Sequence, residues 1–178
     1  MSNKKRVNMN LQWITIVFFT TFILSMTFSY VSTVVMENMH LGIAIFMLIV
    51  IILIGVLFDM IAVAVAAVDI EALRAKASMK QKGAKTAIKL ARNADRVSSV
   101  CADIVGDVFG ILTGSVGILI ALQIANTYDF SLALVTLVVG GVIASLTVTG
   151  KALEKQIALK NANEIIYFVG KILEFYKK

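Results

Sequence analysis

At 178 residues, with 59% hydrophobic side chains and a mean hydropathy of +0.89, the chain is too apolar for a soluble protein and too short to add a soluble catalytic domain. Its 17 Lys and Arg against 11 Asp and Glu leave +6 at pH 7; the surplus is read as facing anionic headgroups, so the bilayer and not nucleic acid is the expected partner. A lone cysteine, Cys101, excludes an intramolecular disulfide and is expected to be a small buried apolar residue.

The basic residues fall in three blocks: Lys4 to Arg6, Arg74 to Arg96 and Lys151 to Lys178. The apolar stretches 11–36, 41–68, 97–122 and 131–149 lie outside these blocks. Each meets or approaches the roughly 20 residues that cross about 30 Å of hydrocarbon. The remaining connections hold only Glu37, His40 and Asp129 as ionisable groups. By the positive-inside rule, the basic blocks face the cytoplasm and these connections face out. Four spans therefore place both termini inside, and the expected location is the inner (plasma) membrane.

The expected fold is an all-α membrane protein, with residues 1–178 forming a single transmembrane domain. The first apolar run follows Lys4, Lys5 and Arg6 as a secretory signal would, but it exceeds the roughly 7 to 15 residues of a signal core and lacks an A-x-A-like site. It is read as a retained first span, with Trp13 in the interfacial aromatic belt. His40, in the first external turn, has no neighbours at metal-ligand spacing and is read as solvated. Between the second and third spans, residues 69–96 predict a cytoplasmic helical hairpin, 70–82 and 84–94, broken at Gly83. Asp95 is the expected N-cap of the third span. Tyr128 is placed in the outer aromatic belt.

After the fourth span, residues 150–178 form an expected amphipathic tail, with Ile165, Ile166, Val169, Ile172, Leu173 and Tyr176 on one helical face. Glu164 and Glu174 bracket too short an apolar core for a fifth crossing.

Three carboxylates fall within the apolar stretches: Asp59, Asp103 and Asp107. A charged group inside a span costs about 2.5 to 3.5 kcal/mol on insertion scales, so such residues point to a pathway or a pairing. At about 1.5 Å rise per residue, Asp59 lies roughly 13 Å from the inner end of its span, and Asp103 and Asp107 roughly 9 and 15 Å from theirs. All three are thus expected at one level in the cytoplasmic half of the bilayer.

Asp103 and Asp107, four residues apart, share a face that continues through Gly110, Gly114 and Gly117, with Gly106 beside it. Small residues allow close helix approach, and Gly140, Gly141, Ala144 and Ser145 offer a counterpart for a homodimer. Oxygen ligands at such an interface suit Mg²⁺, Ca²⁺ or Na⁺. The competing reading is an Asp cluster, protonated or paired with lysine, that only holds helices together. No Ser/His/Asp arrangement, phosphate-binding glycine loop or H-E-x-x-H motif is present, and the chain is read as a non-enzyme.

From Phe58 onward the chain resembles the transmembrane domain of the CNNM/CorB family of magnesium-linked membrane proteins. The resemblance rests on the element order, on the charged hairpin Ala72-Leu-Arg-Ala-Lys and Gly83-Ala-Lys-Thr-Ala-Ile-Lys-Leu, and on Gly150-Lys-Ala-Leu-Glu-Lys155, which is similar to the family's G-E-x-x-P-K signature. It implies a homodimeric three-helix core preceded by an extra N-terminal span. It also implies Mg²⁺ as the substrate, at a site built from polar residues of the first two core helices and the signature Glu. Here the corresponding positions are Asp59, then Asp103 and Asp107, with Lys151 at the signature Glu and Glu154 at its Pro. Lys151 thereby becomes a candidate internal counter-ion. The family's CBS domains have no counterpart, so regulation by Mg-ATP is not expected.

The resulting expectation is a cation transporter with an Asp-lined intramembrane site and no certain cofactor. A non-transporting membrane scaffold or subunit on the same fold is the alternative, and a holin-like pore former the third reading.

Overall fold

A computed structural model describes residues 11–36 and 39–176 of the chain. The residues Lys4, Lys5, Arg6, Glu37, Lys177 and Lys178 lie outside that range, as does the side chain of Trp13. All elements among the described residues are helical. Four of these helical stretches are long and apolar enough to cross a membrane.

Helix α1 (Leu11–Met36) and helix α2 (Leu41–Ala67) are nearly uninterrupted apolar sequence. After α2 the chain forms a hairpin of two short helices, α3 (Ile70–Ser78) and α4 (Ala84–Arg92). A composite helix follows: α5 (Ala94–Ser99), a wide π turn over Val100–Gly106, and α6 (Asp107–Tyr128). Helix α7 (Leu132–Lys160) returns, and α8 (Ala162–Tyr176) closes the described chain.

Helix α2 is the axis of the molecule, packing on α6, α7, the α5–π segment and α8, while α1 leans on α6. Near one end, Ala44, Leu48 and Ile52 of α2 bury against Val116 and Ile120 of α6. Near the other end of α2, Ala64 and Val65 meet Leu73, Ala87 and Ala91 of the hairpin, Ala158 of α7, and Ala162 and Ile166 of α8. Between these two cores the helices still touch, but through glycine: a Cβ on Gly55 would lie 3.2 Å from Phe109, and one on Gly150 would lie 3.1 Å from Val56. Asp59 sits in this intermediate zone.

The hairpin and α8 form one unit. Asp69 caps α3 by accepting from the Glu71 N–H at 2.9 Å, and its own N–H donates to Asn163 Oδ1 at 2.8 Å. Gly83 starts α4 at φ +89°, a conformation that side-chain-bearing residues rarely adopt. It also lies against the backbone of Lys171, while Gly170 lies against the Gly83 carbonyl and Ala87. Lys76 pairs with Glu164 at 2.6 Å and lies over the Tyr167 ring.

Several boundaries differ from the sequence expectations. The third span is part of a helical stretch from Ala94 to Tyr128, and the fourth does not stop at residue 149 but runs to Lys160. Leaving the hydrocarbon is no reason for a helix to end, and residues 151–160 contain good helix formers and neither Gly nor Pro. The tail is consequently two pieces, the end of α7 and the separate helix α8. Helix α3 ends at Ser78, not 82, and Asn93 takes the position before α5 while Asp95 falls in its first turn. The buried face of α8 is Ala162, Ile166 and Gly170; of the residues expected there, Ile172, Leu173 and Tyr176 are exposed. Cys101 is half-buried.

Candidate functional site

Asp59 projects from the middle zone of α2 toward α7, where Lys151 follows Gly150. The close approach of Gly150 to Val56 brings the two helices together there, and Lys151 Nζ lies 2.6 Å from Asp59 Oδ2. The carboxylate is largely covered, at 16% side-chain exposure, whereas the lysine keeps 48%. A long flexible stem with an accessible head can leave and return.

One turn further along α7, Glu154 is buried at 5% exposure. It lies within electrostatic reach of Asp59, Lys151 and Lys155, and its Oε2 has no hydrogen-bond partner among the described residues. A buried polar atom left unpartnered is costly, which makes such an atom informative wherever a fold retains one.

The π turn supplies the opposite wall. The backbone N–H of Asp107 reaches back to the Ala102 carbonyl, the five-residue spacing of a π-helix, which is frequently found at functional positions. Gly106 at its end is buried, and a Cβ there would come to 4.0 Å from Asp59 Oδ1. Within the turn, Asp103 is exposed and accepts a hydrogen bond from Ser99 Oγ at 2.7 Å. Asp107 is exposed at the side of a cleft of about 510 Å³ that also reaches Lys151, Thr113 and Thr147. The walls of this cleft come from α2, α6 and α7.

The structure therefore distributes the three aspartates. Asp59 goes to Lys151, Asp103 to Ser99 and Asp107 to the cleft, and among the described residues no group of three or more His, Cys, Asp and Glu side chains is placed to hold a metal ion. Glu154 was not among the expected site residues. The signal that could have found it is a period of four: Glu154, Ala158, Ala162, Ile166 and Gly170 are all buried, one row crossing from α7 into α8. His40 is exposed and its side chain caps nothing, while Tyr128 is exposed and stacks on Phe130 at 6.1 Å.

The glycine face divides in two. Gly117 is packed against Ile143 of α7, whereas Gly110, Gly114, Gly140 and Gly141 have open space where a side chain would be. Four of the residues around a second cleft of about 310 Å³, between α6 and α7, are Gly110, Gly114, Gly117 and Gly140.

The chain matches no protein-family model, no curated protein and no solved structure.

Proposed function

We propose that the protein handles a hard cation, Mg²⁺ or a related ion, as its substrate in the cleft between α2, α6 and α7, with Lys151 acting as a tethered stand-in for that ion. The chain sits in the inner membrane with both termini, the α3–α4 hairpin and α8 on the cytoplasmic side, as the distribution of its basic residues argues. The resemblance to the CNNM/CorB transmembrane domain supports the same reading.

The observation that carries it is the Asp59–Lys151 pair with the unpartnered Glu154 carboxylate beside it. An ionised carboxylate at this depth is costly without a counter-charge. In the described state Lys151 supplies that charge to Asp59. When a hydrated cation enters past Asp107, it competes for the Asp59 and Glu154 oxygens, and the half-exposed Lys151 withdraws along the cleft. On release of the ion the ammonium returns to Asp59, restoring the pair of the described state. A two-position lysine of this kind shifts between states only by the ion's differential affinity for them.

The test is ion flux into proteoliposomes containing a trapped fluorescent Mg²⁺ chelator. Uptake in wild type that disappears in Asp59→Asn supports the proposal; equal, background-level signals in both oppose it. A second reading, a non-transporting scaffold or subunit, is favoured by the same ion pair, since Lys151 already neutralises Asp59 and no three-ligand group is formed among the described residues. In that case the pair does no more than hold α2 and α7 together.

A further inference from the structure

Helix α8 has two opposed faces. Ala162, Ile166 and Gly170 are buried against α4 and its surroundings. On the opposite side, at spacings of four and three, Phe168, Ile172 and Phe175 share a face, and all three are exposed, Phe168 by 62% and Phe175 by 83%. Each aromatic ring carries about 150 to 250 Å² of surface, so a patch of this kind marks a place of contact.

The patch is bordered by ammonium groups. A cleft of about 520 Å³ joins Phe168, Ile172 and Phe175 to Lys82, Lys171 and Glu174. Glu174 is engaged, accepting the Gly83 N–H at 2.6 Å. Lys82 and Lys171 enter no ion pair among the described residues, nor do Lys80 and Lys85, which line the adjoining recess with Glu174. Four free ammonium groups thus surround one occupied carboxylate.

We propose that this end of the hairpin–α8 unit docks on anionic phospholipid of the bilayer, with headgroup phosphates on Lys82 and Lys171 and with Phe168, Ile172 and Phe175 seated at the acyl boundary. Three features favour that occupant. Unpaired lysines beside exposed aromatics are the composition of helices that lie in an anionic interface. Helix α8 is anchored to the end of α2 and to Ala158 of α7, so it is held where membrane-crossing helices terminate. A second copy placed here by two-fold symmetry would set this basic surface against itself.

The experiment uses the full chain in a Cys101→Ser background, spin-labelled at Ile172→Cys, with Arg92→Cys as an exposed reference. The protein is placed in nanodiscs of phosphatidylcholine alone or of equal parts phosphatidylcholine and phosphatidylglycerol. With phosphatidylglycerol, the label at 172 is expected to lose access to an aqueous nickel chelate and gain access to oxygen, while the label at 92 stays aqueous. Lys82→Gln/Lys171→Gln should restore nickel access at 172. The proposal is overturned if 172 remains as nickel-accessible as 92 with phosphatidylglycerol, or if the double substitution leaves its protection unchanged. Dipolar broadening between labels at 172 would overturn it in favour of a second copy.

Discussion

Lys151 on α7 places its ammonium 2.6 Å from the carboxylate of Asp59 on α2, inside the zone where those two helices approach through Gly150. The pair joins two helices that also approach there through Gly150 against Val56, so it carries both a structural and an electrostatic duty. In a fully buried pair, loss of one partner costs about 3 to 5 kcal/mol. The lysine here is half-exposed, and Lys151→Met is expected to cost less, about 1 to 2 kcal/mol. Asp59→Asn/Lys151→Met should be more stable than the sum of the single losses predicts. Equilibrium unfolding of the four proteins in one detergent measures the coupling, and strict additivity would mean that the pair contributes nothing.

Orientation is open to chemical labelling. In a Cys101→Ser background, a cysteine at Asn126 should react with an impermeant reagent from outside the cell and one at Gln81 should not. Reaction of Gln81 from outside would invert the topology on which the depth of Asp59 rests.

The hairpin depends on two glycines that face each other. Gly83 holds φ +89°, and a Cβ on Gly170 would come within 2.7 Å of the Ala87 nitrogen and the Gly83 carbonyl oxygen. Gly83→Ala and Gly170→Ala should each cost at least about 1 kcal/mol and loosen α8 before the spans unfold. Faster amide exchange over residues 162–176 than over α2 in either variant is the expected signature; unchanged exchange there would show that the backbone adjusts without strain.

Gly110, Gly114, Gly140 and Gly141 leave open space in the protomer, as a surface awaiting another helix would. Gly114→Leu and Gly140→Leu are expected to reduce a homodimer to monomer without lowering the protomer's melting temperature. A wild type that is monomeric across detergents, or variants that dimerise as wild type does, would assign those glycines to lipid.

The helical spans were legible because unbroken apolar runs of this length have few alternatives. The end of α7 was not, since Lys151 and Lys155 mark the edge of a hydrophobic stretch while the helix itself continues to Lys160. The three aspartates stood out individually, yet their partners did not. Ser99 is one of several small polar residues near Asp103, and nothing in the sequence around residues 100–106 announces a π turn. Glu154 stayed hidden behind its exposed neighbours Leu153 and Lys155, although its period-four row through Ala158 and Ala162 was present to be read.

Competition between a cation and Lys151 at Asp59 is read from the melting temperature of the purified full chain titrated with Mg²⁺, Mn²⁺, Ca²⁺ and Na⁺. Binding to the folded state stabilises by about 2.7 kcal/mol at a hundredfold excess over Kd, enough to raise the midpoint by several degrees. Wild type should respond to at least one divalent ion, Asp59→Asn should not respond, and Lys151→Met, freed of its internal competitor, should respond at lower concentration. No shift with any of the four ions in either wild type or Lys151→Met would mean that no cation binds at Asp59 and would leave the pair as a strut between α2 and α7.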